Sequence, residues 1–229
     1  MIEWFYSEEK GERYVDGARL IGPLIPDFDY KKGKQHNLTT ILQLPRWPIP
    51  VLDVEENRQH LLSHWTQILT FDTIIGNADR HPENWGAVSW SDPEGSPIRT
   101  RLSPAFDNGT ALSYEQLENN FFKFNDEEYL VRYLTRARRA RHHMQWSLDD
   151  TGDMNFFDFM RKFVREFPQT KGLILGKLQF NESDLRARLD GLPGIPVGGE
   201  WRLTPQRLDF TLKLVMKRVS LLKEALENV

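Results

Sequence analysis

The 229-residue chain contains no cysteine. Disulfide scaffolds, thiolate metal centres and cysteine nucleophiles are therefore excluded, and the absence is compatible with a reducing cytosol, so the expected location is cytoplasmic. No stretch approaches the ~20 apolar residues of a membrane span. Met1 to Lys10 has no basic n-region and no sustained apolar run, so it does not read as a signal peptide. A basic excess is missing too. With a net charge of −3, the molecule carries no electrostatic footprint for nucleic acid, and neither membrane nor direct nucleic-acid binding is expected. There is no internal repeat and no low-complexity tract. What is present, 39% hydrophobic and 12% aromatic residues, is enough for a folded core. The length fits one domain, with room for a small subdomain.

The most informative stretch runs from Asp72 to Asp107. It contains Gly76-Asn77-Ala78-Asp79-Arg80-His81-Pro82-Glu83-Asn84 and then Leu102-Ser103-Pro104-Ala105-Phe106-Asp107. Asp79 and Asn84 have the spacing of the catalytic Asp and metal-binding Asn in the kinase pattern H-R-D-x-x-x-x-N. Asp107 follows across an expected hairpin, where a kinase carries its second metal ligand. Phosphoryl transfer explains these residue types. It needs a carboxylate to orient a hydroxyl and accept its proton, which suits Asp79. It also needs hard oxygen ligands for Mg²⁺, which Asn84 and Asp107 supply.

The surrounding elements serve this stretch. Leu61, Leu62, Trp65, Ile68, Leu69, Phe71, Ile74 and Ile75 form an apolar stripe at helical spacing, with Asp53 as expected N-cap and Gly76-Asn77 as stop. Trp85 to Trp90 and Ile98 to Leu102 read as two strands joined by a turn-rich connection. Ile2 to Tyr6 and Arg13 to Val15 have short-strand character. Lys31, Lys32 and Lys34 beside Gly33 read as a solvated loop, because no second glycine makes a phosphate site. Residues 110 to 150 look irregular or weakly helical. Within them Arg132, Arg136, Arg138, Arg139 and Arg141, followed by His142 and His143, form a basic run. Its ordinary reading is a solvated helix face, and its functional one a site for phosphate or an acidic partner. Further helices are expected over Asn155 to Phe167, from an Asn181 or Ser183 cap to Leu189, and from Thr204-Pro205 to about Leu226. Gly191 to Glu200 reads as a linker loop.

The Gly76 to Asn84 segment resembles the G-N-x-D-R-H-x-x-N catalytic loop of HipA-like bacterial kinases, and phosphatidylinositol 3- and 4-kinases carry a related loop. Leu102 to Asp107 is similar to the L-A-P-L-Y-D stretch of the HipA family. The resemblance implies a mainly α (α+β) fold, a protein-kinase-like C-lobe with a small β-hairpin carrying the metal site. Residues 1–55 would be a hinge or vestigial N-lobe segment and 56–229 the C-lobe. It implies Ser/Thr protein kinase chemistry with ATP and Mg²⁺, and a protein substrate. By the resemblance Asp79 is the catalytic base, the loop histidine His81 a second catalytic residue, and Asn84 and Asp107 the metal and nucleotide ligands. Arg80 reads as a loop-bracing cation.

Only 71 residues precede Asp72, with no G-x-G-x-x-G and no strand lysine of the V-A-I-K kind. The expectation is therefore a C-lobe whose Gly-rich N-lobe is largely absent, with an antitoxin or a separate N-lobe as further partner. The alternative class is a pseudokinase or binding module that needs an N-lobe in trans. A lipid kinase is the third reading, which the Leu-Ser-Pro-Ala-Phe-Asp stretch disfavours.

Overall fold

The computed structural model describes residues 5–44, 54–91, 99–136, 140–150, 152, 154–196, 203–227 and 229. The chain divides into two compact units, each assembled from separate segments. The first comprises Met1–Ile68, Asp79–Asn108 and His142–Asp153, the second Leu69–Ala78, Gly109–Arg141 and Met154–Val229.

The first unit holds a three-stranded antiparallel sheet in the order β1 (Arg13–Asp16), β2 (Gly86–Trp90), β3 (Arg99–Leu102). β2 and β3 are the expected hairpin, with Ala87 opposite Leu102. β1 adds the third strand, with Asp16 opposite Gly86. Phe5 and Tyr6 are not in a strand, and the rest of the Ile2 to Tyr6 expectation lies outside the described residues. The chain leaves β1 through the short helix α1 (Gly17–Ile21), which Asp16 caps by accepting from the Arg19 N–H. A second short helix, α2 (Leu38–Ile41), is capped in the same way by Asn37.

Helix α3 (Val54–Ile75) contributes its first part to this unit and its last turns to the second. Leu61, Trp65, Ile68, Leu69 and Ile74 are buried, as the stripe predicts, but Phe71 is exposed. Positions 68, 69 and 72 already define the inward face, and residue 71 falls beside it. The expected Asp53 cap lies outside the described residues. At the other end Gly76 takes a left-handed φ of 67°, and the Asn77 N–H donates to the Asp72 carbonyl at 2.9 Å. That is the six-to-one hydrogen bond of a Schellman stop.

In the second unit, Glu118–Asn125 forms a 3-10 segment, followed by α4 (Glu127–Arg136). This region is more regular than its sequence suggests. Leu130 and Leu134 of α4 bury themselves with Phe121, Phe124, Phe210 and Leu214. Helix α5 (Phe156–Glu166) starts on Asn155, whose side chain accepts from the N–H groups of Phe157 and Asp158. Six of its residues are buried, which fits the amphipathic pattern. Helix α6 (Lys171–Lys177), which has no expected counterpart, precedes α7 (Glu182–Leu189), and Asn181 rather than Ser183 caps α7 through a capping box. Leu192–Gly194 is a single 3-10 turn within the expected linker loop. The last helix, α8 (Pro205–Glu227), begins as expected, with the Thr204 hydroxyl accepting from the Arg207 N–H. Leu208, Phe210, Leu212, Leu214, Val215, Val219 and Leu222 are all buried. Among the described residues no helix is long and apolar enough to cross a membrane.

Candidate active site

The loop from Asp79 to Asn84 links α3 to β2 and folds on its own backbone. The His81 N–H donates to the Asp79 carbonyl at 2.8 Å, and the Asn84 N–H to the His81 carbonyl at 2.9 Å. The Asn84 side-chain amide donates to the Asp79 carbonyl at 2.9 Å. This fixes the amide plane of a buried side chain and leaves its Oδ1 without a hydrogen bond among the described residues. Asp79 is half-buried. His81, also half-buried, accepts from the Glu83 N–H through Nδ1 at 3.3 Å, which orients the ring.

Arg80 is the buried centre of the region, 1% exposed. Its Nη1 donates to the carbonyl of Asn84 at 3.0 Å and to the carbonyl of Phe106. Its Nη2 donates to Asn108 Oδ1 at 2.6 Å. One guanidinium therefore holds the residue Asn84 and both neighbours of Asp107. The planar fork of arginine permits this, since it presents several donors in fixed directions. The sheet agrees. Ser103 and Gly86 exchange hydrogen bonds directly past the end of the β2–β3 ladder, bringing the chain after β3 alongside the chain before β2.

Asp107 itself is exposed and has a φ of 52°. A non-glycine residue in the left-handed region is uncommon, tolerated best by Asp and Asn, and typical of functional turns. Its carboxylate has no partner among the described residues. The preceding Phe106 stacks on Phe5 at 4.9 Å and meets Tyr14 edge-on at 6.0 Å, which anchors the turn. The three residues Asp79, Asn84 and Asp107 all belong to the first unit. No group of three or more His, Asp or Glu among the described residues forms a metal cage.

The loop is supported from below by elements of the first fifty residues. The Gly17 N–H donates to the Trp85 carbonyl at 2.8 Å, and the Ala18 N–H to the Pro82 carbonyl at 3.0 Å. A Cβ on Gly17 would lie 2.1 Å from the Trp85 ring, so only glycine allows this approach. Trp85 is buried, and its indole N–H donates to His36 Nε2 at 2.9 Å. His143 stands between His36 and His81, with ring centroids 6.2 and 6.1 Å away. Burial, followed by the neighbouring His81, lowers the His143 pKa, and the Asp79 carboxylate opposes that shift. His36 carries no local sequence signal, and His143 only its place at the end of the basic run. His36 lies 49 residues from the indole it binds.

The other candidate features are placed as follows. Lys31, Lys32 and Lys34 are exposed, and Lys32 pairs with Asp29 at 3.6 Å, as a solvated loop would. The basic run is not one face. Arg132 and Arg136 are exposed, Arg141 is half-buried and His142 is buried, while Arg138 and Arg139 lie outside the described residues. A cavity of about 800 Å³, lined by Tyr6, Glu12, Arg13, Tyr14 and Trp90 among others, lies at the Trp90 end of β2. Asn84 lies beyond the opposite end of that strand, and none of Asp79, Asn84 and Asp107 lines the cavity.

No family model matches the sequence, and no curated protein does. Among solved structures, the chain is similar to the Helicobacter pylori proinflammatory kinase CtkA. The TM-score is 0.66 at 17% sequence identity, over 95% of this chain and 73% of that one. The fold, mainly helical with a small three-stranded antiparallel sheet, is kinase-like.

Proposed function

We propose that the chain is the catalytic C-lobe of a HipA-like serine/threonine protein kinase, with residues 1–55 as hinge or vestigial N-lobe and 56–229 as the lobe. The observation that carries this reading is the Arg80 guanidinium, which ties Asn84 to both neighbours of Asp107, Phe106 lying 26 and Asn108 28 residues further along the chain from Arg80. The kinase-like fold supports it.

Asp79 orients the acceptor hydroxyl of a protein substrate and takes its proton. Asn84 Oδ1 and the Asp107 carboxylate would hold Mg²⁺. The pair fits this ion, which is usually bound by one or two protein oxygens and completes its octahedron with phosphates and water. Bound Mg-ATP supplies the phosphoryl group and neutralises its charge. The hydrogen bond from Asn84 Nδ2 to the Asp79 carbonyl leaves the amide oxygen available for this duty. A cytoplasmic toxin role with an antitoxin partner, or an N-lobe partner, belongs to the same proposal.

Two variants test the roles. Asp79→Asn keeps size but removes the carboxylate that serves the acceptor, so Mg-ATP affinity should change less than twofold while phosphoryl transfer is lost. Asp107→Asn weakens the charge that holds the metal, so affinity should fall roughly tenfold or more, the scale of one lost charge-assisted contact. Calorimetric titration of Mg-ATP into each form reads this. Equal loss in both variants would mean that the roles are misassigned.

A further inference from the structure

Two histidines outside the kinase-like motifs pack against the Asp79–Asn84 loop, His36 through Trp85 just past its end and His143 against His81. His36 is fully buried, and so is its partner Trp85. The indole N–H donates to Nε2, so Nε2 carries no proton and His36 is the neutral Nδ1–H tautomer. The rings also stack at 5.9 Å with 19° between their planes. Trp85 directly follows Asn84. The His36 Nδ1 is buried without a hydrogen-bond partner, and so is the Nδ1 of His143. The two rings pack against each other, tilted by 38° with centroids 6.2 Å apart. His143 in turn packs edge-on against His81 at 6.1 Å.

The two histidines are themselves fixed by backbone. The Gln145 N–H donates to the His36 carbonyl at 2.9 Å, and the Leu38 N–H to the Gln145 carbonyl at 3.0 Å. The chain therefore returns at 142–146 to clamp 36–38, all within the first unit. Trp65 closes the other side, its ring edge-on to Trp85 at 5.0 Å.

We propose that His36 and His143 are positioning residues of the catalytic loop, His36 acting through Trp85 on Asn84 and His143 through His81. The inference rests on the kinase reading of Asp79, Asn84 and Asp107. It requires a hydrogen-bond acceptor at residue 36, and not merely a filled volume. Gln places its amide oxygen near the position of Nε2, whereas Phe keeps a ring and removes the acceptor.

The test compares wild type, His36→Gln, His36→Phe and His143→Phe as full chains by nuclear magnetic resonance, with Mn-ATP as paramagnetic probe. Wild type should show a solvent-protected Trp85 indole N–H and Mn-ATP broadening centred on Asn84 and Asp107. His36→Gln should keep both. His36→Phe should lose the indole protection and require at least tenfold more Mn-ATP for equal broadening at Asn84. His143→Phe, at a more accessible ring, should weaken binding at least threefold while leaving the indole protected, and it reports even when His36→Phe does not fold. Binding by His36→Phe within twofold of wild type, or His36→Gln as weak as His36→Phe, would overturn the positioning role. A protected indole in wild type with no broadening near Asn84 and Asp107 would overturn the kinase reading itself, and is recognisable as that separate failure.

Discussion

Replacing Arg80 by lysine keeps the charge and removes the fork. In the native loop three acceptors, the carbonyls of Asn84 and Phe106 and the Asn108 side-chain oxygen, are served by two nitrogens of one buried group. A lysine ammonium is a single point on a shorter reach, so it can serve one of these positions and leaves the others unpaired. Hydrogen bonds to a charged group are worth about 1.5–3 kcal/mol each, and two are lost. Arg80→Lys should therefore cost about 3–6 kcal/mol, a large share of the ~5–15 kcal/mol that holds a typical domain together. Urea unfolding followed by circular dichroism measures this as a lower midpoint at unchanged slope. The same variant should uncouple the two halves of the site, so amide resonances of Phe106 and Asn108 should move together with that of Asn84. A loss under 1 kcal/mol, or shifts confined to the loop, would refute the idea that Arg80 joins Asn84 to the Asp107 turn.

Acid should destabilise the protein through its buried histidines. Burial, with the Arg80 cation beside it, pushes His142 down to about 3, and burial with His60 nearby pushes His64 down to about 4. Both stay neutral in the folded state while the unfolded chain takes up protons below about 6.5. Their contribution is intact above that pH and is lost as pH falls from there toward 3–4, at about 2 kcal/mol for each group by pH 5. Thermal unfolding between pH 7.5 and 5 should show this drop, and His142→Asn should flatten it; an unchanged slope would remove His142 from the account. Gly76→Ala combines a left-handed φ with a Cβ placed 2.4 Å from the buried Arg218 guanidinium. The backbone strain alone is about 1–2 kcal/mol, so a total of about 2–4 kcal/mol is expected from a denaturation midpoint. A loss below 0.5 kcal/mol, on the scale of an ordinary surface change, would mean the α3 stop is not tight.

Much of this protein is written locally. The stop at Gly76-Asn77, the Thr204-Pro205 start, the Asn155 and Asn181 caps and the α5 and α8 stripes follow from groups a few residues apart, where backbone geometry leaves little choice. The hairpin of β2 and β3 is legible for the same reason, because it joins neighbours in sequence. The order and spacing of Asp79, Asn84 and Asp107 were also there to read. Tertiary structure decided what no local pattern encodes. It paired β1 with β2, gave α4 its regular form by burying Leu130 and Leu134 against Phe121 and Phe210, and left Phe71 in solvent. It also made Arg80 the junction of two strand ends and brought His36 and His143 beneath the loop. The Arg80 and His36 contacts depend on directional hydrogen bonds between groups far apart in sequence. Hydrophobic pattern alone does not specify them, since any apolar side chain would satisfy the pattern and only an acceptor at residue 36 satisfies Trp85.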